Sequence, residues 1–180
     1  SECIDLSYKD YAGFRAACRK SHIEIAEILY NFDENIGKSY YFAKMVCRYG
    51  HTTILIKMLS TNTKIDVYRL LLICCKRGNL ETAKKIIELG KYSCVNGWHG
   101  NKFLQCACRR GQVDILNWLF DKYNYKYSHH PGSVVAKAFA FACSNGHVKI
   151  IDNLVNKFED LRISDCHFSG LLMACANNQL

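Results

Sequence analysis

Eleven cysteines and seven histidines are the residues of this chain with the most chemistry open to them. Thiolates and imidazoles bind metal, and a thiol beside a base is a nucleophile. Cys106 and Cys108 form a C-x-C pair, and Cys74 and Cys75 are adjacent. A zinc site needs a second ligand pair at usable spacing, and none follows either of them. No metal and no cofactor are therefore expected. His129-His130-Pro131 has a metal-binding or pH-sensitive composition, but its setting between apolar segments makes it a solvated connection first. No cysteine or serine stands in a nucleophile motif. Trp98-His99-Gly100 is an isolated turn rather than a phosphate loop. The carboxylate pairs Asp33-Glu34 and Glu159-Asp160 fall at helix ends, where solvation accounts for them. No catalytic residue is assigned, and the chain is read as not an enzyme.

Two other sets of residues carry binding chemistry. Basic residues follow directly on a recurring cysteine: Arg19-Lys20, Arg48, Lys76-Arg77 and Arg109-Arg110. At helix C-termini they complement the helix dipole. Aligned, they form a basic ridge able to meet an acidic partner or nucleic-acid phosphates. The aromatics gather elsewhere. Tyr92, Trp98 and His99 share one connection, and Tyr123, Tyr125 and Tyr127 alternate in the next, ahead of His129. A period of two puts the three tyrosines on one side of an extended segment. There they either pack on the neighbouring helix or serve as partner-binding anchors on projecting fingers.

The elements that position these residues are repeats. Ala16–Leu29, Met45–Leu59, Ile73–Ile87, Cys106–Phe120, Phe141–Val155 and Met173–Leu180 align, each with an anchor cysteine: Cys18, Cys47, Cys75, Cys108, Cys143 and Cys175. The anchors are 29, 28, 33, 35 and 32 residues apart, the size of a helix-turn-helix unit and a connection. The residues four before, one before and at the anchor make one apolar stripe: Phe14, Ala17, Cys18; Ala43, Val46, Cys47; Leu71, Cys74, Cys75; Leu104, Ala107, Cys108; Phe139, Ala142, Cys143; Leu171, Ala174, Cys175. The short side chains in that stripe let neighbouring helices approach closely. Three residues after the anchor stands Gly50, Gly78, Gly111 or Gly146, with Ser21 and Asn178 in the other units. Glycine there ends the first helix in a left-handed cap.

The polar residue that follows (His22, His51, Asn79, Gln112, His147 or Gln179) suits a tight turn. The second helix then runs on stripes such as Ile23, Ala26, Leu29, Tyr30 or Val113, Leu116, Leu119, Phe120. Glu24, Glu81 and Asp114 sit in its first turn. Candidate N-caps for the first helices are Ser39, Asp66, Asn101, Ser133 and Ser169.

With its Ala-Ala/Cys-x-x-Gly-His turn and Leu-rich second helix, the chain resembles ankyrin repeats. Phe141–Val155 matches most closely, then Ala16–Leu29. No unit has the Thr-Pro-Leu-His opening of that family. The cysteine-for-alanine habit and the Lys/Ile/Asn/Tyr-rich composition are similar to ankyrin-like proteins of large DNA viruses or protists. Other helical-pair repeats share the period but lack the Gly-His turn. The resemblance implies an all-α, ankyrin-like helical-repeat solenoid with finger loops. Its units fall at about 8–38, 39–65, 66–100, 101–132, 133–168 and 169–180. It also implies a non-catalytic module that binds a protein partner through the fingers and the first-helix face.

A structural scaffold in a larger assembly or virion is the alternative, and nucleic-acid binding by the ridge a third. Apolar residues at 49% and a single proline exclude disorder. No apolar run approaches the roughly 18 residues of a membrane span, so no membrane partner is expected. An odd number of cysteines, most of them in helical apolar patterns, points to reduced thiols in the cytoplasm or another reducing compartment. Leu180 ends on an open apolar face, so further repeats are expected beyond it.

Overall fold

The computed structural model describes residues 8–89, 98–123, 125 and 133–158. It contains the helices α1 (Tyr8–Arg19), α2 (Ile23–Phe32), α3 (Glu34–Lys38), α4 (Tyr40–Tyr49), α5 (Thr52–Thr61), α6 (Val67–Arg77), α7 (Leu80–Glu88), α8 (Trp98–Arg110), α9 (Val113–Lys122), α10 (Val134–Ser144) and α11 (Val148–Lys157). There is no strand among the described residues. The fold is all-α and made of helical repeats, as the periodicity implies.

The anchor turn is what repeats. Gly50, Gly78, Gly111 and Gly146 have φ of +76°, +78°, +69° and +68°, and Ser21 fills the same place at +57°. The residue after this cap donates its N–H back into the first helix: His22 to the Ala17 carbonyl, His51 to Val46, Gln112 to Ala107 and His147 to Ala142. That bond satisfies a carbonyl the helix end would leave unpaired. Glycine at two of these turns also makes room for the next repeat. A Cβ on Gly78 would collide with the Gln112 amide, and one on Gly111 would lie 2.8 Å from His147 Nδ1.

The chain forms two compact units. One comprises the described residues up to Cys74 and again from Glu81 to Leu89. The other comprises Cys75–Leu80 and the described residues from Trp98 onward. In the first, α1 packs on α2 and α4, α4 on α5, and the short α3 against α4 and α5. Phe14, Ala17 and Cys18 meet Ala43, Val46 and Cys47 in its core, with Ile54, Leu55 and Met58 from α5. The Cys47 thiol donates to the Leu70 carbonyl at 3.2 Å and lies 3.1 Å from the Cys74 sulfur. Thr52 and Thr82 share a 2.7 Å hydroxyl bond that ties α5 to α7. In the second unit α8 packs on α9 and α10, and α11 on α9 and α10. Leu104, Ala107 and Cys108 are sealed there with Ile115, Leu116, Leu119 and Ala142. Each large side chain so buried contributes about 1.5–3 kcal/mol.

Four expectations are corrected. α8 begins at Trp98, so Asn101 is a helix residue rather than an N-cap. Gly100 does not delay the start, since first-turn N–H groups have no intrahelical partner to lose. The stretch after α2 holds α3, started by Asp33, whose carboxylate accepts the Asn35 N–H at 2.8 Å, and anchored by the buried Ile36. Ile23 is not inner stripe. As the first residue of α2 it lies on the rim and is 48% exposed. Cys143 is only partly covered, whereas Cys18, Cys47, Cys75 and Cys108 are buried. Among the predicted N-caps Ser133 accepts the Ala136 N–H and Asp66 the Arg69 N–H, while Ser39 makes no side-chain cap bond. Ser169 lies outside the described residues.

Candidate functional site

In the first unit, the outward side of α1 and α4 carries charge at helical spacing. Arg15 and Arg19 are one turn apart on α1, and Lys44 and Arg48 one turn apart on α4. These four line a cleft of about 380 Å³ with Tyr41, Met45 and Tyr49 of α4 and Ile73 of α6. Arg19, Lys44 and Arg48 are exposed. Arg19 Nε donates to the Arg15 carbonyl at 3.3 Å, which draws its guanidinium along the helix end. Lys44 Nζ lies 4.9 Å from the centre of the Tyr40 ring, a cation–π contact that holds the ammonium beside the cleft.

The aromatic wall has its own support. Tyr41 meets Phe42 edge to face at 5.3 Å, and Phe42 meets Tyr11 at 5.1 Å and Phe14 at 5.5 Å. Tyr11 is fixed in turn by a 2.9 Å bond to Asp33. Backbone donation from Asn35 and the Tyr11 hydroxyl together hold the Asp33 carboxyl below its usual range. Tyr41 remains 49% exposed at the end of this chain of rings, a rigid aromatic open to a partner.

All seven ridge residues are exposed: Arg19, Lys20, Arg48, Lys76, Arg77, Arg109 and Arg110. The structure brings Arg19 and Arg48 into the cleft. Arg109 instead lies over the Phe141 ring, 4.0 Å from its centre. The cleft residues Arg15, Tyr41, Lys44, Met45, Tyr49 and Ile73 were not singled out from sequence. The available signal was a basic residue three before the anchor cysteine as well as one after it, in two successive units.

The finger residues divide. Trp98 and His99 belong to the first turn of α8 rather than to a connection. Tyr92, Tyr127 and His129 lie outside the described residues. Tyr123 and Tyr125 turn inward onto α9: Tyr125 meets Phe120 at 6.1 Å and Tyr123 at 6.4 Å. Burial pushes the Tyr123 hydroxyl up to about 12 and raises that of Tyr125 as well. Of the two roles open to these tyrosines, packing on the second helix is the one the structure displays.

Two of the turn histidines, His51 and His147, are structural. His51 is buried and its Nε2 lies 2.8 Å from the Cys18 carbonyl; His147 Nε2 lies 3.0 Å from that of Arg109. Each joins its turn to the preceding first helix. Burial pushes the Cys18 and Cys108 thiols up to about 12, far from the depressed values of reactive thiolates. Cys106 has Lys76, Arg109, Lys102 and Arg110 around it, yet burial outweighs them and its thiol is also raised. No group of three or more His, Cys, Asp or Glu residues among those described is placed to hold a metal ion. No helix among them is long and apolar enough to cross a membrane.

Helical pairs, left-handed caps between them and small residues in the stacking stripe define a helical-repeat protein. Residues 44–130 match the family model of ankyrin repeats, in 3 copies, so that stretch of the chain carries ankyrin repeats. Ankyrin repeats are generally protein–protein interaction modules, a non-enzymatic fold. A comparison with curated proteins found no match.

Proposed function

We propose that this chain is a non-catalytic module that binds a protein partner through the first-helix face of its first unit. The observation that carries this reading is the cleft between α1 and α4, with the half-exposed Tyr41 held rigidly at its edge. Rigid aromatics beside arginine are the usual anchors of protein interfaces. The inward packing of Tyr123 and Tyr125 moves the weight of the reading from the fingers to this face. The seven described cysteines are free thiols, which supports work in a reducing compartment.

The test is reconstitution. A partner captured on the immobilised chain is purified and re-bound. Tyr41→Ala should weaken the complex by at least tenfold while the helical signal and melting midpoint stay unchanged. Binding that no substitution on the α1 or α4 face disturbs contradicts the reading.

One observation favours a second role, as a scaffold component. Ile25, Ile28 and Phe32 share one side of α2 and are 51%, 54% and 78% exposed. Exposed apolar stripes of this kind mark association surfaces. Sedimentation at rising concentration decides it: an Ile28→Asp, Phe32→Asp variant that stays monomeric where the parent assembles supports the scaffold role. A parent that is monomeric throughout removes it.

A further inference from the structure

We propose that the cleft between α1 and α4 takes an acidic protein segment, with an apolar side chain of that segment seated on Met45 and Ile73 and its carboxylates held by Arg15, Arg19, Lys44 and Arg48. This rests on the interaction reading above and names the chemistry of the partner.

The sign of the charge is set by the lining. Its described residues include four cations and no carboxylate. Those cations come from two helices and converge on one concavity, so a ligand inside it meets positive charge from both walls. Such clefts focus the field and raise the local concentration of anions. Arginine forks match carboxylates in two-bond geometry, and the tyrosine hydroxyls can add donors.

The floor separates a protein segment from other anions. Met45 is nearly buried and Ile73 partly so, and both face the cleft. A free polyphosphate has nothing to place on a thioether and a branched aliphatic chain. An acidic segment with a leucine or phenylalanine among its carboxylates uses floor and walls together. A nucleic-acid strand needs a cationic track that follows its backbone past successive stacking platforms. This site is instead a single concavity of about 380 Å³, near the small end of binding-pocket volumes.

A selection with random peptides displayed on phage tests the proposal on the intact chain. Enriched peptides are synthesised with a fluorophore and titrated by polarisation against three proteins. These are the parent, Arg19→Gln with Lys44→Gln, and Lys57→Gln with Lys64→Gln. Both pairs remove two exposed positive charges from the first unit, but only the first pair lines the cleft. The expected result is enrichment of peptides with several Asp or Glu residues around an apolar one. Their affinity should fall at least tenfold in the cleft variant and less than threefold in the control variant. Replacing the apolar residue of the peptide by serine should cost a further several-fold. Labelled oligothymidylate is the second probe, and it should bind more weakly than the peptides at physiological salt. Peptides without acidic residues, or equal losses in the two variants, overturn the proposal but leave a protein-binding module intact. Tighter binding of the oligothymidylate, lost in the cleft variant, overturns it in favour of nucleic acid. Failure of any peptide to enrich overturns it as well, and the reconstituted partner of the preceding test then decides the broader reading by itself.

Discussion

The first-helix faces of the two units occupy the same repeat positions and carry different chemistry. Three residues before the anchor cysteine stand Arg15 and Lys44 in α1 and α4, but Gln105 and Ala140 in α8 and α10. One residue after it stand Arg19 and Arg48, but Arg109 and Ser144. Four cations frame an open cleft in the first unit. In the second, Arg109 is laid on the Phe141 ring, two residues before the anchor, so much of its attraction is met within the unit. Beneath these surfaces the framework hardly differs: the same cap, the same stripe, and an anchor sulfur buried everywhere but at Cys143. The repeat dictates the core, and the residues flanking the stripe are free to set what each face binds.

If that division between framework and face holds, the largest effects belong to the framework. Leu104→Ala removes a fully buried side chain of the second unit and should cost about 2–5 kcal/mol in a denaturant melt. Leu55→Ala should cost a similar amount in the first unit. Lys102→Ala, exposed on the same helix as Leu104, should cost under about 0.5 kcal/mol. Equal losses at positions 102 and 104 would break the assignment of inner and outer sides.

Next in size is the anchor turn. Gly111→Ala places a Cβ at positive φ and against His147, and should cost about 1–3 kcal/mol. A neutral outcome would mean that the turn is not the rigid joint it looks to be.

High pH probes the inward tyrosines of the second unit. The Tyr123 and Tyr125 hydroxyls are raised above 10.0 by burial, so the folded chain keeps them neutral where the unfolded chain ionises. Their contribution is complete below pH 10 and is lost as the pH rises through the raised values. The buried Cys18 and Cys108 thiols, raised from 9.0, act in the same sense from pH 9. Urea midpoints should therefore fall steadily from pH 9 to pH 12. Tyr125→Phe should lessen the fall above pH 10. A curve that this substitution leaves unchanged would contradict the inward placement of Tyr125.

The smallest effect concerns the cation on the second face. Arg109→Ala should cost about 0.5–1 kcal/mol through its lost contact with Phe141. Arg19→Ala, at an exposed cleft cation, should cost less. The reverse ranking would mean that the cleft cations serve the fold.

These two layers were not equally legible in the sequence. The stripes ending at Cys18, Cys47, Cys75 and Cys108 are visible because packing demands apolar residues at i, i+3 and i+4, and that demand recurs in every unit. The turns are visible because positive φ selects glycine. The cleft depends on neighbours distant in sequence. Arg15 and Lys44 line one cavity only once α1 lies against α4, and no local rule marks them. Cations one turn apart on each helix were the only trace. Asp33 and Ile36 produced α3 in what reads as a connection, because one side-chain cap and one buried anchor are enough for a helical turn. Tyr125 alternates with Tyr123 as a projecting strand would, yet Phe120 gives it a packing surface that alternation alone cannot reveal.

The central claim is that partner recognition belongs to the α1/α4 face and not to its counterpart in the second unit. Site-specific photo-crosslinking reads this directly. A benzophenone side chain replaces Tyr41 in one protein and Gln105 in another, and each is irradiated with the captured partner. The account predicts a covalent adduct from position 41 and none from position 105. An adduct from position 105 alone would contradict it.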